Sequence, residues 1–116
     1  MTSYDLKVVR LQCVQTAGGA TDDVKMQIDG VKRWPPGDPE GYVTMAIGDN
    51  RDINERYTFH GDWMNVSLYG DTTFGEDDRL GGADIPRESP SGVELTFDLS
   101  DEAHYVLTYK VIKIED

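Results

Sequence analysis

Short runs in which apolar and polar side chains alternate recur along the whole chain, and this two-residue period restricts the fold more than any other feature. It is what a strand with one buried face produces, because successive side chains point to opposite sides. Val24, Met26 and Ile28 alternate with Asp23, Lys25, Gln27 and Asp29. Met64, Val66 and Leu68 alternate with Asn65 and Ser67, and Val93, Leu95, Phe97 and Leu99 alternate with Glu94, Thr96 and Asp98. Near the C-terminus Tyr105, Leu107, Tyr109 and Val111 share one face and Val106, Thr108, Lys110 and Ile112 the other, which describes a long strand largely covered on both sides.

At the N-terminus Leu6 and Val8 are followed by Val9, Leu11 and Cys13, so the phase slips at Val8 and Val9, as a bulge or a two-sided strand requires. Further strands are expected at 43–47, 53–59 and 80–85, the last ending at Pro86. Turn formers separate the runs: Gly18 and Gly19, Gly30, Pro35 to Pro39, Gly48 to Asn50, Gly61, and Pro86 to Gly92. Seven or eight short strands without intervening helices predict an all-β fold, an antiparallel sandwich of about eight strands, with a small barrel as the other possibility. With 116 residues and neither an internal repeat nor a linker, a single domain over 1–116 is expected.

Charge narrows the partners. There are 22 acidic and 11 basic residues, a net charge of −11, so nucleic acid would bind against the protein's own field. Anionic membranes are disfavoured for the same reason, unless calcium first inverts the local potential. A protein partner and multivalent cations suit this charge; no small-molecule substrate is evident. The one cysteine, Cys13, offers no intrachain disulfide and no zinc motif. A reducing, cytoplasmic setting is expected, although leaderless export would leave no mark.

The segment Leu68-Tyr69-Gly70-Asp71-Thr72-Thr73-Phe74-Gly75-Glu76-Asp77-Asp78-Arg79-Leu80-Gly81 joins two expected strands and holds four acids between Asp71 and Asp78. Ca²⁺ takes roughly six to eight oxygens, carboxylates and backbone carbonyls on flexible loops among them. Gly70 and Gly75 would let the backbone turn its carbonyls inward. Asp78-Arg79-Leu80-Gly81 resembles the Asp-x-hydrophobic-Gly pattern that closes the third loop of C2 domains. Thr21-Asp22-Asp23-Val24-Lys25 is similar to the junction where their first loop enters a strand, and Asn54-Glu55-Arg56-Tyr57-Thr58-Phe59 to the Asn-Glu-x-aromatic-x-aromatic run before their fifth strand. The closing Tyr105-Val106-Leu107-Thr108-Tyr109-Lys110-Val111 is similar to the last strand of small bacterial domains of this type.

This resemblance implies a C2-like sandwich with residues 16–23, 48–53 and 71–78 at one end, where Asp22, Asp49, Asp52, Asp71, Asp77 and Asp78 would converge. The segment Val31–Trp34 must then be an extra hairpin arm or loop. The implied metal ligands are Asp22, Asp71, Asp77 and Asp78, with Ca²⁺ as the cofactor. Gly70 and Thr72 stand where the family pattern has aspartates, and Gln15 to Ala20 lacks the early acid of the first loop. Two readings of the loop therefore stand side by side, a cation site and a solvated acidic loop that maintains solubility.

The remaining candidates read as structural. His60 and His104 have no partner at metal-ligand spacing and fit strand ends. Cys13, in phase with Val9 and Leu11, is expected in the core, Trp34 is expected to cover one end of the core, and Trp63 is expected to pack in the core or at a sheet edge. No Ser/His/Asp or Cys/His constellation is legible, so the expected function is a non-enzymatic binding module, with a calcium-independent structural or interaction subunit, an adaptor or inhibitor within a larger assembly, as the alternative.

Overall fold

The structure is a computed structural model and describes residues 3–37, 41–70, 78–87, 93–100 and 103–114. Nine strands run along it: β1 (Ser3–Gln15), β2 (Thr21–Ile28), β3 (Val31–Trp34), β4 (Val43–Ala46), β5 (Asn50–Phe59), β6 (Trp63–Gly70), β7 (Asp78–Pro86), β8 (Leu95–Ser100) and β9 (His104–Ile114). All pairings are antiparallel. One sheet has the order β5-β1-β9-β8 and the other β3-β2-β6-β7, with β4 also paired to β2. No helix occurs among the described residues, and the all-β sandwich read from the alternation is the fold observed.

The alternating apolar residues face each other between the sheets. Val24, Met26, Ile28, Met64, Val66 and Leu68 come from one sheet and Leu6, Val8, Leu11, Tyr105, Leu107 and Val111 from the other, and each is buried. The phase slip of β1 is a bulge: its register against both β5 and β9 shifts between Val8 and Arg10, with Val9 as the extra residue. The additional residue restores Leu11 and Cys13 to the core side. Cys13 is buried as expected, and Trp34 is buried against the core. Trp63 departs from expectation. It is 62% exposed, because it is the residue next to inward-facing Met64 and so projects from the opposite face of β6.

Val31–Trp34 is the second arm of a tight hairpin. Asp29 and Gly30 link β2 to β3 with φ of 50° and 83°. Positive φ at both positions is what a two-residue turn matching the strand twist needs, and Asp-Gly supplies it. Asp29 strengthens the turn by accepting the N–H of Asn65 at 2.9 Å.

The two lateral edges of the sandwich differ. On one side β7 and β8 meet: Ala103 N–H donates to Leu80 O at 3.2 Å, and a Cβ placed on Gly81 would lie 2.4 Å from Leu99 O. On the other side β3 and β4 together edge one sheet and β5 edges the other, with a groove between β3 and β5.

Candidate functional site

Three connections begin and finish at the same end of the sandwich. Residues 16–20 link β1 to β2, residues 47–49 link β4 to β5, and β6 leads to β7 from Gly70 to Asp78. Register fixes the common end, because Thr21 opposes Ala46, Val24 opposes Gly70, and Gly70 opposes Asp78. The hairpin between Ser100 and His104 lies there too, since Cys13, close to the end of β1, opposes Tyr105.

The first connection is closed by its own polar groups. The hydroxyl of buried Thr16 donates to Gly19 O, and Gly18 takes a φ of 117°, where a side chain would be strained. Asp22, the first residue singled out as a metal ligand, faces this loop. Its carboxylate oxygens accept the Ala17 N–H at 3.2 and 3.3 Å, and one accepts the Tyr105 hydroxyl at 2.6 Å. Tyr105 is fully buried, so this bond anchors the half-buried Asp22 to the core from β9. Burial pushes the Tyr105 hydroxyl far above the ordinary tyrosine range, and its bond to Asp22 pushes it further. Burial likewise raises the Cys13 thiol, with Tyr105 opposing and the carboxylates of Asp22 and Asp49 adding to the rise.

The second connection is stitched onto β1. Gly48 N–H donates to Cys13 O at 2.8 Å and Cys13 N–H to Asp49 O at 2.9 Å. The Asp49 carboxylate turns back to accept Ala46 N–H at 2.8 Å and pairs with Arg51 at 3.7 Å. Asp52, on β5, pairs with Arg10 of β1 across the sheet at 3.7 Å. Asp22 and Asp49 thus flank Cys13 with committed carboxylates, and Asp52 belongs to a cross-strand ion pair. Among the described residues no three His, Cys, Asp or Glu side chains are grouped to hold a metal ion. Asp71 and Asp77 lie outside the described residues; of Asp78 the backbone is described, as the first residue of β7.

The histidines stand at strand ends. His60 follows β5 and shares a hydrogen bond with Ser3 at 3.1 Å, and His104 opens β9 beside Asp98 at 3.2 Å. Two features escaped the sequence reading. The anchoring of Asp22 by Tyr105 links residues 83 apart, and Gly81 of the Asp-x-hydrophobic-Gly pattern has a packing task, admitting the Leu99 carbonyl.

No family model and no curated protein matches the chain. Solved structures do. The first of the C2 domains of plant extended synaptotagmin 1 is similar over 98% of this chain and 95% of that one, with 18% identity and a TM-score of 0.58. Another C2 domain is similar over 99% and 100%, with 18% identity and a TM-score of 0.59. The calcium-bound pair of C2 domains of extended synaptotagmin 2 is similar over 97% of this chain and 45% of that chain, with 14% identity and a TM-score of 0.60. A CC2D1B structure, of which this chain spans 54%, has a TM-score of 0.62 at 14% identity. The chain has a C2-like fold.

Proposed function

We propose that this chain is a non-enzymatic binding module that uses the three-connection end as its contact surface, with Ca²⁺ held there by Asp22 together with Asp71, Asp77 and Asp78. The observation that carries the reading is the shared end: register brings Asp22 and the strand termini Gly70 and Asp78, which bracket the acidic loop, to one side of the molecule. Asp22 suits a cation. Its carboxylate is already oriented by the Ala17 amide and the Tyr105 hydroxyl, as ligating carboxylates commonly are by their outer neighbours. The likeness to a calcium-bound pair of C2 domains supports the same reading. Bound Ca²⁺ would neutralise the loop acids, allowing a protein partner, or with calcium a membrane surface, to approach. A reducing, cytoplasmic setting belongs to this reading, since Cys13 is a buried thiol without a disulfide partner.

A cation-independent protein contact is the second reading. Asp49, turned onto its own loop and paired with Arg51, favours it.

Calcium titration with thermal denaturation separates the two. At one hundred times Kd, Ca²⁺ adds about 2.7 kcal/mol of stability. With about 4 °C per kcal/mol for a chain of 116 residues, Tm rises by about 11 °C. The rise must vanish in the Asp77→Asn, Asp78→Asn double variant. An unchanged Tm at millimolar calcium, or an equal rise in the variant, eliminates the metal and leaves the cation-independent contact.

A further inference from the structure

We infer that the open edge of the sandwich is a second binding site, one that takes a small phosphate monoester on an apolar stem between Arg33 of β3 and Arg56 of β5. The site is a groove of about 300 Å³ whose apolar lining comes from Ile28, Val31 and Met64. That volume lies at the lower end of the range for small-molecule pockets, about 300 to 1,000 Å³.

Local backbone geometry puts Arg33 there. Met26 opposes Trp34 and Gln27 opposes Lys32, so Arg33 is the residue that the β2–β3 register skips. A skipped residue of this kind is a bulge, which releases a side chain from the ladder and re-aims it. Arg33 is exposed and, among the described residues, has no hydrogen-bond or ion-pair partner, in a protein whose acids outnumber its bases two to one. Arg56 faces the same groove from the other sheet. Its pair with Asp5 is loose at 3.9 Å, and its side chain is 59% exposed.

Acids stand beside the two guanidiniums, Asp29 in the lining and Asp5 next to Arg56, and both have their oxygens turned to protein donors. Asp29 is committed to the Asn65 amide, and Thr58 donates its hydroxyl to Asp5 at 2.7 Å. Tyr57 lines the groove as well, and its hydroxyl is buried without a hydrogen-bond partner. Two guanidiniums match the two negative charges of a phosphate monoester, and each can bind its oxygens in bidentate fashion. The apolar lining beside them accounts for the stem.

The test is a titration of the isotope-labelled full chain with phenyl phosphate, followed by amide chemical shifts in EDTA so that no calcium effect enters. Saturable shifts confined to residues 28–33 and 56–58 are expected. Arg33→Ala and Arg56→Ala should each weaken binding at least about tenfold, the scale of a lost charge-assisted hydrogen bond. Alanine removes the stem as well as the charge, so Arg33→Met, which keeps a stem over the groove and should hold Tm at the wild-type value, must weaken binding as much for the loss to read as a loss of contact. Inorganic phosphate should bind more weakly than phenyl phosphate. Shifts that are absent, spread over the whole surface or undiminished in the double arginine variant overturn the site. Equal affinity for inorganic phosphate overturns the apolar stem.

Discussion

Replacing Gly81 by alanine should damage this fold more than any other glycine-to-alanine change near the loop end, and the size follows from the contact geometry. A Cβ at position 81 would lie 2.4 Å from Leu99 O and 2.6 Å from Leu99 C. Ordinary carbon–oxygen contacts begin near 3.2 Å, so β7 and β8 must separate by roughly 0.8 Å where Ala103 N–H bonds Leu80 O. Overpacking against an immovable backbone costs about 3 kcal/mol, the upper part of the usual range. At about 4 °C per kcal/mol, Tm falls by about 12 °C. Gly70→Ala is the control, because its Cβ would meet the tip of Leu80 at 3.4 Å, an ordinary contact. It should change stability by less than about 1 kcal/mol. Urea denaturation of both variants measures the difference. Equal stability of Gly81→Ala and wild type, or equal losses in the two variants, would refute the claim that this glycine exists to let the sheets close.

Tyr105→Phe removes the 2.6 Å bond to Asp22 and should cost about 1.5 to 3 kcal/mol, read as a Tm lower by about 6 to 12 °C; a Tm within 2 °C of wild type, by about the same scale, would mean that Asp22 needs no anchor. Alkali gives a further test. The Tyr57 hydroxyl is pushed up to about 12, first by burial and then by Glu55, with Arg33 opposing, and Tyr105 is raised further still. Both are protonated more tightly in the folded state, so their contribution is complete below the unfolded tyrosine value of 10.0 and is lost as pH climbs from there through about 12 and beyond. Urea midpoints should therefore fall from pH 10 upward, and less steeply in Tyr57→Phe; parallel curves for the two proteins would contradict the shift.

Much of the fold was legible because burial on one face writes itself into sequence at period two. β9 alternates in burial as far as Val111, β2 and β6 do so apart from Lys25 and Ser67, which are buried too, and even the bulge at Val9 left its trace as two adjacent valines. Trp63 was misread because size argued for burial while its position beside Met64 argued for exposure, and position prevailed. The shared end of the connections could be anticipated through the resemblance, whereas the state of Asp22 could not. Its partner is a tyrosine at position 105 whose alternation announces only a core residue, and nothing in that pattern tells whether a hydroxyl continues past the core to a carboxylate. The groove was equally invisible, since Arg33 and Arg56 stand in separate strands and meet only because β3 and β5 are the edges of different sheets.

That placement links the two edges of the sandwich in one account. A two-layer sandwich must either draw its edge strands together or leave the gap lined. At β7 and β8 it draws them together, and the requirement for a bare backbone at Gly81 is the consequence. At β3 and β5 it cannot do so in the same way, because β3 has only four residues and skips Arg33 in its ladder before the chain passes to Pro35. The inner faces there present Ile28, Met64 and Tyr57, which would be poorly covered without long side chains standing at the rim. Arginine can cover apolar surface with its stem while its guanidinium remains in water. Arg33 and Arg56 therefore complete the sandwich as well as charge the groove, and a conservative change separates the tasks. Arg33→Met keeps the covering stem and removes the charge, so stability should hold while phenyl phosphate affinity drops as in Arg33→Ala. Retained affinity in Arg33→Met would show that the rim arginine serves packing alone.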